Sequence, residues 1–295
     1  MKMHADQVDV TADQVAALVA GQFPRWRHLP VRPVTSHGTV NALFRLGDDL
    51  VLRLPLRPSA GPARRDELHL EQENARRIAG HVPLEVPEPL ALGAPGDHYP
   101  GWWAVYRWIP GETASHHSIA EAGSFATALA GFVTALHRVD TEGRTWDGVY
   151  RGGPLATQDA EVQRALTEST HLVDTVRLAG IWARCRDAAP AAADVWIHAD
   201  LMPGNLLVRD GRLVAVIDLG TVCVGDPAVD LMPAWNLLPA GAREVYRRAL
   251  SVDEAAWLRG QGWAIVQAIV ALPYYVDTNP VMAATARDTL AAILA

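Results

Sequence analysis

The chain predicts an α+β fold of two lobes, an N-terminal antiparallel sheet lobe with one main helix and a larger, mainly helical C-terminal lobe that carries a β-hairpin. Three observations lead there. Between Val31 and Leu56 the run VRPVTSHGTVNALFRLGDDLVLRLPL breaks into short apolar stretches at Gly38 and at Gly47-Asp48-Asp49, the pattern of an antiparallel meander. After Pro110-Gly111 the periodicity becomes helical. Within that helical half, WIHADLMPGNLLVRDGRLVAVIDLG holds two apolar strands joined by Asp210-Gly211, a hairpin signal. With 295 residues, 49% of them hydrophobic and 20% charged, the chain is long enough to bury a core in each lobe.

The elements follow in order. Thr11 and Gln14 have capping-box spacing, and Val15, Leu18, Val19 and Phe23 recur at helical intervals, so a first helix is expected over about 11–21. The meander comes next. Residues 63–80, ARRDELHLEQENARRIAG, read as a charged amphipathic helix whose inner face carries Leu68, Glu71, Ala75 and Ile78, a carboxylate on an apolar stripe. The proline-rich HVPLEVPEPLALG leads into a strand pair whose second member, GWWAVYRWIPGE at 101–112, stops at Pro110-Gly111. These limits divide the chain into residues 1–106, a connecting hinge at 107–111, and residues 112–295. Helices are expected over about 118–136 and about 158–188, then beyond the hairpin to the C-terminus.

Composition excludes several classes. A formal charge of −7 argues against a nucleic-acid partner and favours cationic ones, because a negative field concentrates cations. No apolar run reaches the roughly 20 residues of a membrane span, and the first residues lack a signal-peptide core, so a cytoplasmic protein with no membrane partner is expected. Cys185 and Cys223 are too few for a disulfide framework or a thiolate metal site and read as small buried hydrophobes. No GxxxxGK[ST] occurs, which excludes a P-loop.

The chemistry concentrates in the hairpin. Asp200 and Asn205 precede its first strand and Asp218 follows its second, so the hairpin brings the three to one end of the ribbon. A carboxamide oxygen and a carboxylate are hard ligands suited to magnesium completed by water and phosphate. A carboxylate facing a hydroxyl instead can orient it and accept its proton. A hydrolase metal site built on His198 and Asp200 is the other reading of the loop, and it lacks a second ligand cluster.

The spacing H-x-D-x-x-x-x-N followed by IDLG resembles the catalytic and metal-binding motifs of the protein-kinase-like fold. HADLMPGNLLV and VAVIDLGTVCVGDPAVDL are more closely similar to the aminoglycoside phosphotransferase family, and the resemblance spans most of the chain. It implies a bilobal protein-kinase-like fold in which Asp200 is the catalytic base, Asn205 and Asp218 hold Mg²⁺, and His198 braces the loop. It also implies ATP as the nucleotide. Because the purine edge would be read by the backbone of Arg107 and Ile109, with Trp108 between them, GTP stays open.

In the N-terminal lobe Ser36-His37-Gly38-Thr39 would lie over the phosphates, with Ser36, Gly38 and Thr39 as contacts, although a plain hairpin turn explains the same residues. The family carries a lysine on the next strand, whereas the one lysine here is Lys2. Arg53, opposite Leu52 and Leu54, is the cation available to the α- and β-phosphates, with Glu71 as its ion-pair partner.

Beyond the hairpin, Asp226 and Asp230 are expected to order the active-site loop and cap the next helix, with Asp230 also a candidate acceptor contact. Trp235, Asn236, Tyr274, Asp277 and Asn279 offer aromatic and acidic groups for a sugar ring and ammonium groups, and His137 reads as a core or capping histidine. The expected activity is γ-phosphoryl transfer to a hydroxyl of a small, cationic molecule by a monomer or weak dimer. An aminoglycoside leads, ahead of a macrolide, a peptide antibiotic or a small metabolite. The second class is a catalytically silent nucleotide-binding module, and retention of Asp200, Asn205 and Asp218 speaks against it.

Overall fold

Thr11 and Gln14 close a reciprocal capping box, Gln14 N to Thr11 Oγ1 at 3.3 Å and Thr11 N to Gln14 Oε1 at 2.9 Å, which starts α1 (Ala12–Gln22). The computed structural model describes residues 7–35, 38 and 40–295. Its chain divides into two compact units, one of Met1–Gly80, Glu85–Pro110 and Ile217–Gly220, the other of His81–Leu84, Gly111–Val216 and Thr221–Ala295.

The first unit is built on β1 (Val31–Val34), β2 (Asn41–Leu46), β3 (Leu50–Pro55), α2 (Pro62–Ala79), β4 (Pro89–Gly93) and β5 (Trp103–Arg107). The strands form one antiparallel sheet in the order β1-β2-β3-β5-β4. Alternation along the strands assigns each face a task. Leu50, Leu52 and Leu54 of β3 and Trp103 and Val105 of β5 are buried in a core shared with Val15, Leu18 and Val19 of α1. Each fully buried side chain of this size contributes about 2 kcal/mol. Arg53 and Tyr106 alternate with that set, and both bond to Glu71 of α2. Gly93 faces Trp103 in the ladder, and a Cβ on it would fall 1.9 Å from Trp103 Cε2, so only glycine lets the indole lie flat there.

The second unit contains β6 (Glu112–Thr113), α3 (Ala122–His137), α4 (Asp159–Glu168), α5 (Thr175–Arg186), β7 (Val195–Ile197), β8 (Leu206–Arg209), β9 (Arg212–Val216), β10 (Cys223–Gly225), α6 (Pro233–Asn236), α7 (Ala240–Ala249), α8 (Glu254–Tyr275) and α9 (Pro280–Leu294). The β8–β9 hairpin turns on Asp210 and Gly211, with φ of 52° and 75°, the left-handed pair that matches strand twist. Two features differ from the sequence expectation. The helix expected over 158–188 is two helices, because Ser169 ends α4 and the Asp174 carboxylate, accepting from Arg177 N at 3.0 Å, caps α5. Residues 195–197, ahead of the loop, form a strand that the sequence pattern did not assign, paired with β10. No helix among the described residues is long and apolar enough to cross a membrane.

Candidate active site

In the first unit, Arg53 sits mid-strand with its side chain 17% exposed and divides its fork between two carboxylates. Nη1 meets Glu71 Oε1 at 2.6 Å and Nη2 meets Asp218 Oδ1 at 2.5 Å. The Tyr106 hydroxyl donates to Glu71 Oε1 at 3.0 Å, and its ring centre lies 5.5 Å from the guanidinium carbon. Burial works against the charge on Arg53, but Glu71 and Asp218 outweigh it and hold its pKa above the ordinary value. Tyr106 is likewise raised, by burial first and then by Glu71, so it stays a donor. Asp218 has φ of 64°, a left-handed conformation that a non-glycine residue seldom adopts. A carboxylate on an apolar helix stripe thus has its physical reason, a buried cation opposite it.

Ser36 and Thr39 lie outside the described residues, and Gly38 is exposed. In the segment expected to face the purine, Arg107 N donates to Glu88 O at 2.9 Å and Trp108 N to Asp49 O at 2.7 Å. The Arg107 side chain pairs outward with Glu88, Trp108 stacks under Arg45, and Ile109 is buried. Two of the backbone donors there are therefore already used, and the Ile109 backbone remains the proposed contact to a purine edge.

In the second unit the HADLMPGN loop links β7 to β8 through a 3-10 turn at Pro203–Asn205. Asp200 Oδ1 accepts from Arg151 Nη1 at 2.6 Å and from Gln267 Nε2 at 3.2 Å. Asn205 Nδ2 donates to Asp200 O at 2.8 Å and to its Oδ2 at 3.0 Å. With its nitrogen so committed, Asn205 keeps its Oδ1 out of the bonds to Asp200. An amide oxygen of this kind and the Asp218 carboxylate fit the hard-donor chemistry of magnesium. Among the described residues no group of three or more His, Cys, Asp or Glu could hold a metal, which leaves the hydrolase metal site on His198 and Asp200 without a ligand set.

The loop is anchored from beneath. The Asp230 carboxylate, 0% exposed, accepts from His198 N at 3.1 and 3.0 Å and from Ala199 N at 3.0 Å. His137 Nε2 lies 3.1 Å from its other side, and the Tyr246 hydroxyl donates to its carbonyl at 2.7 Å. Ala199 has φ of 64°, so the bonds to Asp230 stabilise a strained corner. His198 is fully buried, accepts Asp200 N at Nδ1 over 3.3 Å, and receives the Thr221 hydroxyl at its carbonyl, 2.8 Å. Asp226 caps the following turn through Ala228 N and is fixed by Arg259 at 2.7 Å.

Two acceptor expectations are corrected. Asp230 cannot touch a substrate, because it is wholly enclosed and its oxygens are filled by the loop. Trp235 is buried and packs on Trp257 with ring centres 4.6 Å apart. Asn236 and Asn279 are also buried, the first donating to Leu201 O and the second capping α9. Tyr274 and Asp277 are exposed and stay open as acceptor contacts. Sequence reasoning missed Arg151 and Gln267. Gln267 had a signal, a polar residue inside the apolar run from Trp263 to Leu272, whereas Arg151 had none.

Asp230→Ala is expected to cost about 3 kcal/mol or more, because two backbone N–H groups lose a charged acceptor inside the protein. A calorimetric midpoint on parent, Asp230→Ala and Asp230→Asn measures this, with the asparagine variant between the other two. An Asp230→Ala midpoint equal to the parent's would contradict the anchoring role.

The antiparallel sheet with its one main helix and the helical part that carries the H-x-D-x-x-x-x-N loop are those of a kinase-like fold, with Arg53 in place of the lysine. The chain belongs to the phosphotransferase enzyme family, whose sequence profile matches residues 31–268. An aminoglycoside 3′-phosphotransferase of Escherichia coli is 28% identical over 145 residues, 46% of this chain and 52% of that protein, so the chain spans about half the length of this relative. A homoserine kinase of Methylocella silvestris is 28% identical over 203 residues, 64% of this chain and 60% of the kinase. Among solved structures, the GDP and kanamycin complex of APH(2″)-IIia superposes with a TM-score of 0.70 at 16% identity, covering 95% of this chain and 98% of that one.

Proposed function

We propose that the protein is a magnesium- and nucleotide-dependent O-phosphotransferase that moves the γ-phosphoryl group of ATP or GTP to a hydroxyl of a small molecule in the cytoplasm. The observation that carries this reading is Asp200, a carboxylate fixed by Arg151, Gln267 and Asn205 on a loop anchored by a buried aspartate. Asp200 accepts the proton of the acceptor hydroxyl as that oxygen attacks phosphorus in line. Arg53 sets its positive charge on the α- and β-phosphates, and Glu71 fixes its direction. A guanidinium has five N–H donors, so its bonds to Glu71 and Asp218 leave others for phosphate oxygens. Asn205 and Asp218 are the residues that would hold magnesium, which would supply positive charge to the nucleotide's phosphates.

An aminoglycoside is the leading acceptor, supported by the 3′-phosphotransferase relative and by the net charge of −7, which attracts polycations. The match to homoserine kinase over 64% of the chain supports a second reading, a small hydroxylated amino acid or amino alcohol. A panel of aminoglycosides, macrolides and such metabolites, each with ATP or GTP and magnesium, separates them by acceptor-dependent release of nucleoside diphosphate. Stimulation by members of one class, lost on chelation, is expected. No stimulation by any member would count against the transfer reading.

A further inference from the structure

Arg151 comes to Asp200 from an irregular segment far upstream, and that segment is built to present it. Trp146 N donates to Asp194 Oδ2 at 2.9 Å and Trp146 Nε1 to Val149 O at 3.1 Å on one side of Arg151, and Asp226 N donates to Gly152 O at 2.8 Å on the other. Three residues there have left-handed backbones, Gly148 at 89°, Tyr150 at 57° and Gly152 at 118°. Tyr150 is not a glycine, so its neighbours must hold that conformation, the kind of local strain that collects at functional sites. The Tyr150 ring lies 5.0 Å from the guanidinium carbon of Arg151. Arg151 Nη1 then bonds twice to the loop, to Ala199 O at 2.9 Å and to Asp200 Oδ1 at 2.6 Å. Burial alone would weaken its charge, but Tyr150 and Asp200 more than offset that and raise its pKa.

The distribution of donors over the carboxylate is uneven. Oδ1 receives Arg151 and Gln267, which fills its two lone-pair directions, while Oδ2 receives Asn205 and, among the described residues, keeps one direction open. We propose that Arg151, together with Gln267, is a positioning residue for Asp200: the pair saturates Oδ1 and leaves Oδ2 as the oxygen that takes the acceptor's proton. In the transfer, the acceptor oxygen forms its bond to the γ-phosphorus as its O–H bond breaks. The P–O bond to the departing nucleoside diphosphate breaks with its electron pair, and the proton ends on Oδ2. This inference rests on Asp200 being the base.

The test uses the full chain and four variants, Arg151→Ala, Arg151→Met, Arg151→Lys and Asp200→Asn. Amide hydrogen exchange over residues 198–205 needs no acceptor, and turnover of Mg·ATP is followed by ADP release with water or an identified acceptor. Arg151→Ala and Arg151→Met are expected to speed loop exchange on the order of 10-fold and to lower kcat by about 10- to 100-fold, with KM for ATP within about 2-fold of the parent, since small misplacements of a base cost rate and not nucleotide affinity. Arg151→Lys is expected to recover part of both effects, because it restores the cation that a methionine stem lacks. Parent-like exchange in the loop for Arg151→Met, or parent-like kcat despite faster exchange, overturns the proposal. Turnover retained by Asp200→Asn overturns the assignment of the base itself, whereas turnover lost there and kept in both uncharged Arg151 variants overturns the positioning role alone.

Discussion

Replacing Asp200 with asparagine is expected to lower turnover on the order of 10²-fold or more while nucleotide affinity stays close to that of the parent. The carboxamide is nearly isosteric but has no oxygen basic enough to take a proton. It also meets donors on both sides, from Arg151 and Gln267 at one oxygen and from Asn205 at the other, so its NH₂ must face at least one of them. That misfit loosens the loop, and Asp200→Ala is the companion variant that removes the clash along with the base. Arg53, the proposed phosphate contact, and Glu71, which directs it, lie in the other compact unit and are untouched by either change. Nucleotide affinity by calorimetry and turnover, measured on one preparation, check the expectation. Near-parent turnover in both variants would sink the role of Asp200.

The second large effect falls on Arg53. Arg53→Ala is expected to reduce kcat/KM for the nucleotide on the order of 10²-fold, since it removes the cation proposed to stabilise charge on the departing diphosphate and leaves Glu71 buried without its partner. Glu71→Ala is expected to act in the same direction but less strongly. Asp218 still grips Nη2, and the Tyr106 ring still flanks the guanidinium when Glu71 is gone. The double variant should fall well short of the summed effects, because contacting residues couple. Arg53→Lys retains part of the activity, since an ammonium supplies charge but cannot span both carboxylates as a fork does. A double-mutant cycle on turnover decides the matter. Strict additivity would show that Glu71 does not direct Arg53, and an unchanged Arg53→Ala enzyme would place the phosphate cation elsewhere, with Arg57 the next candidate.

Much of this was legible in the sequence where local pattern and long-range outcome agree. The alternation of Leu50, Leu52 and Leu54 against Arg53 predicts which side of the strand is core, and the sheet obeys it. Glu71 announced itself as a charge on an apolar stripe, and its partner is the cation that stripe faces. What was not legible is non-local or depends on enclosure. β7 and β10 are three-residue strands whose pairing spans the whole hairpin, too short to carry a period. The break between α4 and α5 contains no glycine or proline, only an aspartate whose capping role shows once the helix starts there. Asp230 is read from the sequence as ordering the active-site loop, and it does so by accepting from His198 N and Ala199 N; its complete enclosure, which removes it from the acceptor contacts, is what its neighbours' identities do not reveal. Arg151 reaches Asp200 across 49 positions from a turn-rich segment, a contact made by the fold and by no motif.

The destination of the γ-phosphoryl group decides whether Asp200 serves transfer, and ³¹P nuclear magnetic resonance of a single reaction reads that destination directly. The protein is mixed with ATP, magnesium and the acceptor that stimulates it most, beside an identical sample of Asp200→Asn. A phosphomonoester resonance growing in step with ADP in the parent, and absent over the same interval in the variant, is the expected result. Inorganic phosphate as the sole new species would make the protein a hydrolase. A spectrum in which neither ATP nor GTP is consumed with any acceptor would make it a silent nucleotide-binding module, and either outcome contradicts the transfer chemistry assigned to Asp200.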